Sequence, residues 1–319
     1  MSPIYKKGRL AGTRAVPEAD SLEKNVAADD RLSRVVCVRN LMTSLIKEAK
    51  AKCQPLFLDP AVVSERDWLL INHPLKTSNK LPNKIRSEKD AEAWIFDVIL
   101  RPLLAACCAA QSGEFSDMKP GSPNFTSCPP EKKSDWPDGI LYDENDPKMS
   151  IEAKTRAALV GAGREKLPTF ESLIGSLSEE PEYSVRFNWP ANKKVPTQKA
   201  DHMIMQIWTQ MVTNELDKCA IINYDCVYFF FRKGKTLYMS PEAGLTPKNT
   251  LSIAIFAFIA YSLDFLHAKP HLPDVVDWWT QKQRSSDPGI DHGTLLKEKA
   301  LFLSSLTATG RPARKATKK

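Results

Sequence analysis

Apolar and polar positions alternate along the 319-residue chain in stretches of helical and of strand period. Residues 1–28 are polar and lack periodicity. From Asp30 to Lys52, Leu32, Val35, Val36, Val38, Leu41, Met42, Leu45 and Ile46 recur at helical intervals, which predicts an amphipathic helix. Residues 54–71 hold only short apolar groups, and LKTSNKLPNKIR is a polar connector. Ser87 then reads as an N-cap, with Glu88, Asp90 and Glu92 in the first turns of a helix running to about residue 110 and bending near Pro102. The Pro-, Ser- and Gly-rich stretch from Gln111 to Pro137 is mostly loop, with room for one short strand. DGILY, the turn-forming DENDPK and MSIEAKT predict two strands of a hairpin. Residues 157–190 read as irregular with some helix, and Ala200–Leu216 as a helix. KCAIINY, DCVYFFFRKG and KTLYMSP are rich in β-branched and aromatic residues and predict two or three further strands. An apolar helix near 250–266, a Pro-punctuated stretch, a shorter helix near 292–305 and a basic tail follow.

Composition narrows the class. With 42% hydrophobic and 26% charged residues, the chain can bury one substantial core. The start has no apolar stretch of signal-peptide length, and the longest apolar run, Leu251–Leu263, is too short to span a bilayer; no membrane partner is expected. Seven cysteines without a CxxC pair fit a reduced, intracellular compartment, nuclear or cytoplasmic, and build no zinc site of ordinary spacing. The net charge of +7 is concentrated at the ends: Lys6, Lys7 and Arg9 at one, and Arg311, Arg314, Lys315, Lys318 and Lys319 at the other, outnumber it. The remainder is close to neutral, so bulk charge alone does not argue for nucleic acid. The basic ends suit phosphate affinity or nuclear import, or are two solvated disordered ends.

Chemistry concentrates in MSIEAKT. Strand alternation puts Ser150, Glu152 and Lys154 on one face and Met149, Ile151 and Ala153 on the other, a core face. If the connection pairs Tyr142 with Lys148, the antiparallel register sets Asp138 opposite Glu152. Directly opposed residues have Cβ atoms about 4.5–5.5 Å apart, and two carboxylates there repel unless something positive lies between them. A hard dication with oxygen ligands resolves this. Glu92 lies beside the apolar stripe of Ile95, Phe96 and Ile99, where a carboxylate needs a partner, whereas Asp97 has Arg101 one turn on. The bland alternatives are a solvated strand face for Glu152 and Lys154 and a turn role for Asp138. Gln206, Gln210 and Thr213 form a polar helix face for which solvation is the ordinary reading. The aromatic run Tyr228–Phe231 reads as core strand.

The order of these residues resembles the PD-(D/E)XK nuclease superfamily, particularly its fungal-type members, stand-alone or kinase-associated. Glu92 in EAWIFDVILRPLL matches the acid of the family's first helix, Pro137–Asp138 its Pro-Asp pair, Glu152-Ala153-Lys154 its acid-x-Lys triplet and Gln206 in MIMQIWTQM its helical Gln. Acid-x-Lys also occurs at Glu48–Lys50, Glu131–Lys133 and Asp146–Lys148, so the order carries the likeness rather than the triplet. The resemblance covers roughly residues 87–240; a clear strand between the first helix and Asp138 is missing from the pattern. It implies an α/β fold, a restriction-endonuclease-like core of a small mixed sheet flanked by helices, with helical N- and C-terminal extensions. On that basis 1–86 is a helical extension with a disordered start, 87–245 the core, 246–310 a helical segment packed on it and 311–319 a disordered tail. It also implies hydrolysis of DNA or RNA phosphodiester bonds, with Mg2+ or Mn2+ on Glu92, Asp138 and Glu152. Lys154 then orients or activates water, and Gln206 assists. The alternative is a catalytically inactive nuclease-fold module that binds nucleic acid or protein. Oligomeric state is left open.

Overall fold

The computed structural model of the chain describes residues 26–58, 87–112, 122–127, 137–155, 183–187, 189, 199–223, 226–244, 250–273 and 276–277. The connector before Ser87, the helix expected near 292–305 and both basic ends lie outside them.

Within these residues the protein is α/β: a mixed sheet with helices on both faces. The strands are β1 (Arg34–Cys37), β2 (Asn124–Ser127), β3 (Gly139–Asp143), β4 (Asp146–Ala153), β5 (Tyr183–Arg186), β6 (Lys218–Ile222), β7 (Cys226–Lys233), β8 (Thr236–Met239), β9 (Ala243–Gly244) and β10 (Val276–Asp277). They lie in the order β10-β5-β1-β8-β7-β6-β4-β3-β2, with β9 on β7. The helices are α1 (Thr43–Leu58), α2 (Glu88–Trp94), α3 (Arg101–Ser112), α4 (Lys199–Thr213) and α5 (Thr250–Ser262).

The helix expected over Asp30–Lys52 begins only at Thr43. The β-branched run before it forms β1, with Val36 and Val38 in one core and Val35 and Cys37 in the other. A strand buried on both faces shows no polar alternation, so helical and strand periods read alike there. The expected N-terminal extension therefore contributes a strand that pairs β5 and β8 in the main sheet. β5 lies in a stretch expected to be irregular or helical; four residues are too few for a period to show. The short strand allowed for in the 111–137 loop is β2, which pairs β3.

Ser87 caps α2 as expected, with a full capping box: its hydroxyl accepts from Asp90 N at 3.1 Å and its own N–H donates to Asp90 Oδ2 at 3.0 Å. The bend expected near Pro102 takes the form of a π-helical segment, Ile95–Leu100, joining α2 to α3. Pro102 has no N–H for the preceding turn, and Arg101 N–H reaches back to Phe96. The wider turn advances the buried stripe by one residue. Leu100 follows Ile95 and Phe96 into the core, Leu104 and Cys107 continue it, and Ile99 packs half-buried at its margin. Glu88–Gln111 is long and apolar enough to cross a membrane by length and composition only; here its buried stripe packs in the same core as α1 and α5.

Two apolar layers sandwich the sheet. On one face α1, α3 and α5 meet Met149, Ile151, Phe229 and Phe231; Phe258 stacks 4.8 Å from Phe229. On the other, Ile207, Trp208 and Met211 of α4 cover Cys219, Ile221, Tyr228 and Phe230. The Tyr228–Phe231 run is thus core strand.

Candidate active site

A hairpin and one helix bring the candidate residues together. β3 and β4 turn at Glu144–Asn145, where Glu144 takes the left-handed conformation (φ 55°). Tyr142 pairs with Pro147 instead of Lys148, and a bulge then lets Leu141 pair with Met149. Lys148 is the extra residue. Had the turn-end register continued, Asp138 would fall opposite Ile151, on the other face. With the bulge, Gly139 pairs with Ile151, and the next position inward is Asp138 against Glu152, as the sequence suggested. Asp138 lies just before the first β3 pair, and its Oδ2 accepts the Ala153 N–H at 2.7 Å.

Gly139 is required for this approach. A Cβ there would stand 2.3 Å from Cζ of Phe96, whose ring packs edge-on against Phe125. The π segment places Phe96 on the strand, and the strand places Asp138.

From β4 the chain adds β5 beyond β1, then returns through α4 to lay β6 parallel beside β4. That return sets α4 over the face that carries Glu152. Glu152 is 2% exposed, and a carboxylate so deep needs several donors. Its Oε1 accepts from Gln206 Nε2 at 2.6 Å and from the Lys154 ammonium; its Oε2 accepts from Gln210 Nε2 at 2.9 Å. Lys154 also lies 3.0 Å from Oε1 of Glu88, at the start of α2. Its face of β4 is therefore buried, not solvated.

The electrostatics follow from burial. Desolvation, reinforced by Glu152 and Glu92, pushes the Asp138 carboxyl up to about 7 against the opposing pull of Lys154 and the Ala153 N–H. Burial also raises Glu92, with Lys89 opposing it and Glu88 and Glu152 adding to it. Burial disfavours the Lys154 ammonium, but Glu152 and Glu88 outweigh it and raise its pKa. Behind the site, burial lifts the Cys219 thiol to about 12, far from thiolate chemistry at neutral pH.

The structure thus brings Asp138, Glu152, Lys154 and Gln206 together, with Glu92 near enough for its charge to raise Asp138 and to be raised in turn by that of Glu152. Two residues outside the sequence-derived set join them. Gln210 is one turn beyond Gln206 and fully buried, while Thr213, on the same expected polar face, is exposed. Glu88 is one turn before Glu92. Helical spacing could have suggested both.

For a divalent cation, the donor chemistry fits: the carboxylates of Glu88, Glu92, Asp138 and Glu152 outnumber the Lys154 ammonium, which leaves hard oxygens in excess. The spacing is less closed. Among the described residues no three His, Cys, Asp or Glu side chains form a ready group for a metal, so Glu92 does not complete a compact triad with Asp138 and Glu152.

No family model, curated protein or solved structure matches the chain.

Proposed function

We propose that the protein is a divalent-metal-dependent nuclease of the restriction-endonuclease-like class. Asp138 and Glu152 would hold Mg2+ or Mn2+, with Glu92 as an outer carboxylate. The observation that supports this reading most is a buried carboxylate, Glu152, and a half-buried one, Asp138, beside one ammonium at a strand end, where Asp138 is left with a carboxyl raised to about 7. Buried acids with displaced pKa values concentrate at functional sites. The cation would polarise a scissile phosphate and acidify a bound water. Lys154, held by Glu152 and Glu88, would face the charge that develops on the phosphoryl oxygens. Gln206 orients Glu152. Nucleic acid, DNA or RNA, is the partner this chemistry addresses.

A second reading is favoured by the donors on Glu152. Gln206, Gln210 and Lys154 satisfy that carboxylate within the protein, as a structural buried acid requires, and no compact three-ligand group accompanies it among the described residues. A nuclease-fold module that only binds nucleic acid or protein would look the same.

Titration calorimetry with magnesium and manganese separates the two. The enzyme reading expects saturable binding that Asp138→Asn weakens by an order of magnitude or more and Lys154→Ala retains, because the first removes an anionic ligand and the second only a charge partner. No binding by the unaltered protein supports the module instead.

A further inference from the structure

β1, β4, β6 and β8 run parallel to one another, so all four begin at the same end of the sheet, the end away from Glu152. Charge at this end falls into two separate halves. Where β3 turns into β4, β6 begins and α5 stops, the chain places Asp143, Glu144, Asp146, Asp217 and Asp264. The lysines of this half are held by those acids: Lys148 lies 2.9 Å from Asp146 and 3.8 Å from Asp264, and Lys218 lies 2.7 Å from Asp217. The other half is basic. Arg186 pairs with Arg34, Arg34 with Thr236, and Thr236 with Lys233, so these register positions form one line across β5, β1, β8 and β7. Lys235 follows in the β7–β8 turn.

Neighbouring strands lie about 4.8 Å apart, which makes the line about 14 Å long. It marks the margin of the core, because Arg34, Thr236 and Lys233 stand two residues outward of the buried Val36, Tyr238 and Phe231. Lys233 and Lys235 are exposed and Arg34 is half-buried. Backbone bonds hold the strand ends in place. The Lys235 carbonyl accepts the Ser33 N–H at 2.9 Å, the Ser33 hydroxyl at 3.0 Å and the Arg34 N–H at 3.3 Å, while the Phe187 N–H donates to the Ser33 carbonyl at 2.8 Å. The spacing of the line is thus set without a ligand.

We infer that this basic line is a nucleic-acid contact that holds the phosphate backbone away from the candidate active site. It takes the nucleic-acid partner from the reading above and nothing from the metal. A phosphate backbone is a regular row of anions, which Lys and Arg side chains bind by displacing counterions, with no pocket and no apolar contact. A protein partner calls for an apolar centre to its interface, and Ser33, Arg34, Lys233, Gly234, Lys235 and Thr236 supply none. The acidic half repels the same backbone and confines it to the side of β7, β8, β1 and β5. β4 and β7 are each eight residues long, about 26 Å. A nucleic acid held here therefore spans about one strand length to reach Glu152, and the line contributes affinity rather than chemistry.

The test is fluorescence anisotropy of the full chain with a labelled DNA duplex and, separately, a labelled single-stranded RNA, titrated over a range of salt in the presence of chelator. The unaltered protein is compared with Lys233→Gln/Lys235→Gln and with Lys47→Gln/Lys50→Gln, which removes the same charge from exposed positions on α1 off the line. Thermal melts confirm that both variants fold. Each phosphate contact contributes about 0.9 to the slope of log affinity against log salt on a DNA duplex. The expected result is several-fold weaker binding at low salt by Lys233→Gln/Lys235→Gln, with a slope reduced by about 1–2, and no change in the α1 variant. An unchanged slope, or an equal fall in both variants, overturns the inference, as does tighter binding of polyglutamate than of either nucleic acid, which would make the line a protein-docking surface. Cleavage that does not depend on the line leaves the enzyme reading standing without this contact. Binding that depends on the line in a protein that cuts nothing leaves the contact standing without the enzyme. A parent that binds neither nucleic acid overturns the contact.

Discussion

At the scale of single residues, Asp138 carries the sharpest consequence. Its folded carboxyl sits at about 7, well above the usual aspartate range, because burial and Glu152 disfavour its charge. A raised acid binds a proton in the folded state that the unfolded chain has already released. Its stabilisation is therefore full below about pH 4 and is lost as pH rises through 7. With metal chelated, Asp138→Asn should abolish this fall, leaving the variant more stable than the parent at pH 8 and less favoured at pH 5. Melting temperatures across that range decide it; parallel curves for the two proteins would show that Asp138 is not strained in the free site. Of the residues around it, Glu152, Lys154 and Gln206 were legible because strand alternation and the order of motifs single them out. Gln210 and Glu88 were not, although spacing puts each on the same helix face as a chosen residue. Whether a polar face is solvated or covered depends on how α4 returns over β4, which is a tertiary fact.

At the scale of elements, the site depends on the approach of the α2–α3 helix to β3. Gly139→Ala would set a methyl group 2.3 Å from the Phe96 ring, which Phe125 prevents from simply turning away. Overpacking of this kind costs about 1–3 kcal/mol. We expect Gly139→Ala to lose that much in denaturant unfolding and Phe96→Leu to restore part of it in the double variant. An unfolding midpoint equal to the parent's would mean that the helix does not rest on the strand here. Most elements were legible from period and caps: the capping box at Ser87, the hairpin, α4 and the three strands after it. The failures share a cause. β1 is buried on both faces, so it lacks the alternation that marks a strand, and β5 is only four residues long. The π segment inserts one residue between the stripe of Ala91 and Ile95 and that of Leu100, Leu104 and Cys107, a change of phase that one uninterrupted period does not anticipate; Pro102 was the only hint.

At the scale of the whole molecule, charge and fold divide the work. The body is near neutral and the eight basic residues noted at the ends lie outside the described structure. If those ends touch phosphates, removing residues 311–319 should weaken nucleic-acid binding and flatten its dependence on salt, since each lost contact releases fewer counterions. An unchanged salt slope assigns the tail some other role. The α/β class was readable from the succession of elements. That strands from near both ends of the described chain, β1 and β10, join the same sheet was not, because such pairing is set by long-range contacts that local pattern does not record.

The central claim, that Asp138, Glu152 and Lys154 form a metal-dependent phosphodiesterase site, is tested most directly by cleavage of end-labelled DNA and RNA with magnesium, manganese or chelator, comparing the parent with Glu152→Gln. The substitution keeps the shape of the side chain and removes the buried charge on which Gln206, Gln210 and Lys154 converge. The account predicts cleavage by the parent that requires the dication and is abolished in Glu152→Gln. Cleavage that persists in the variant, or a parent that cuts neither nucleic acid with either metal, would contradict it.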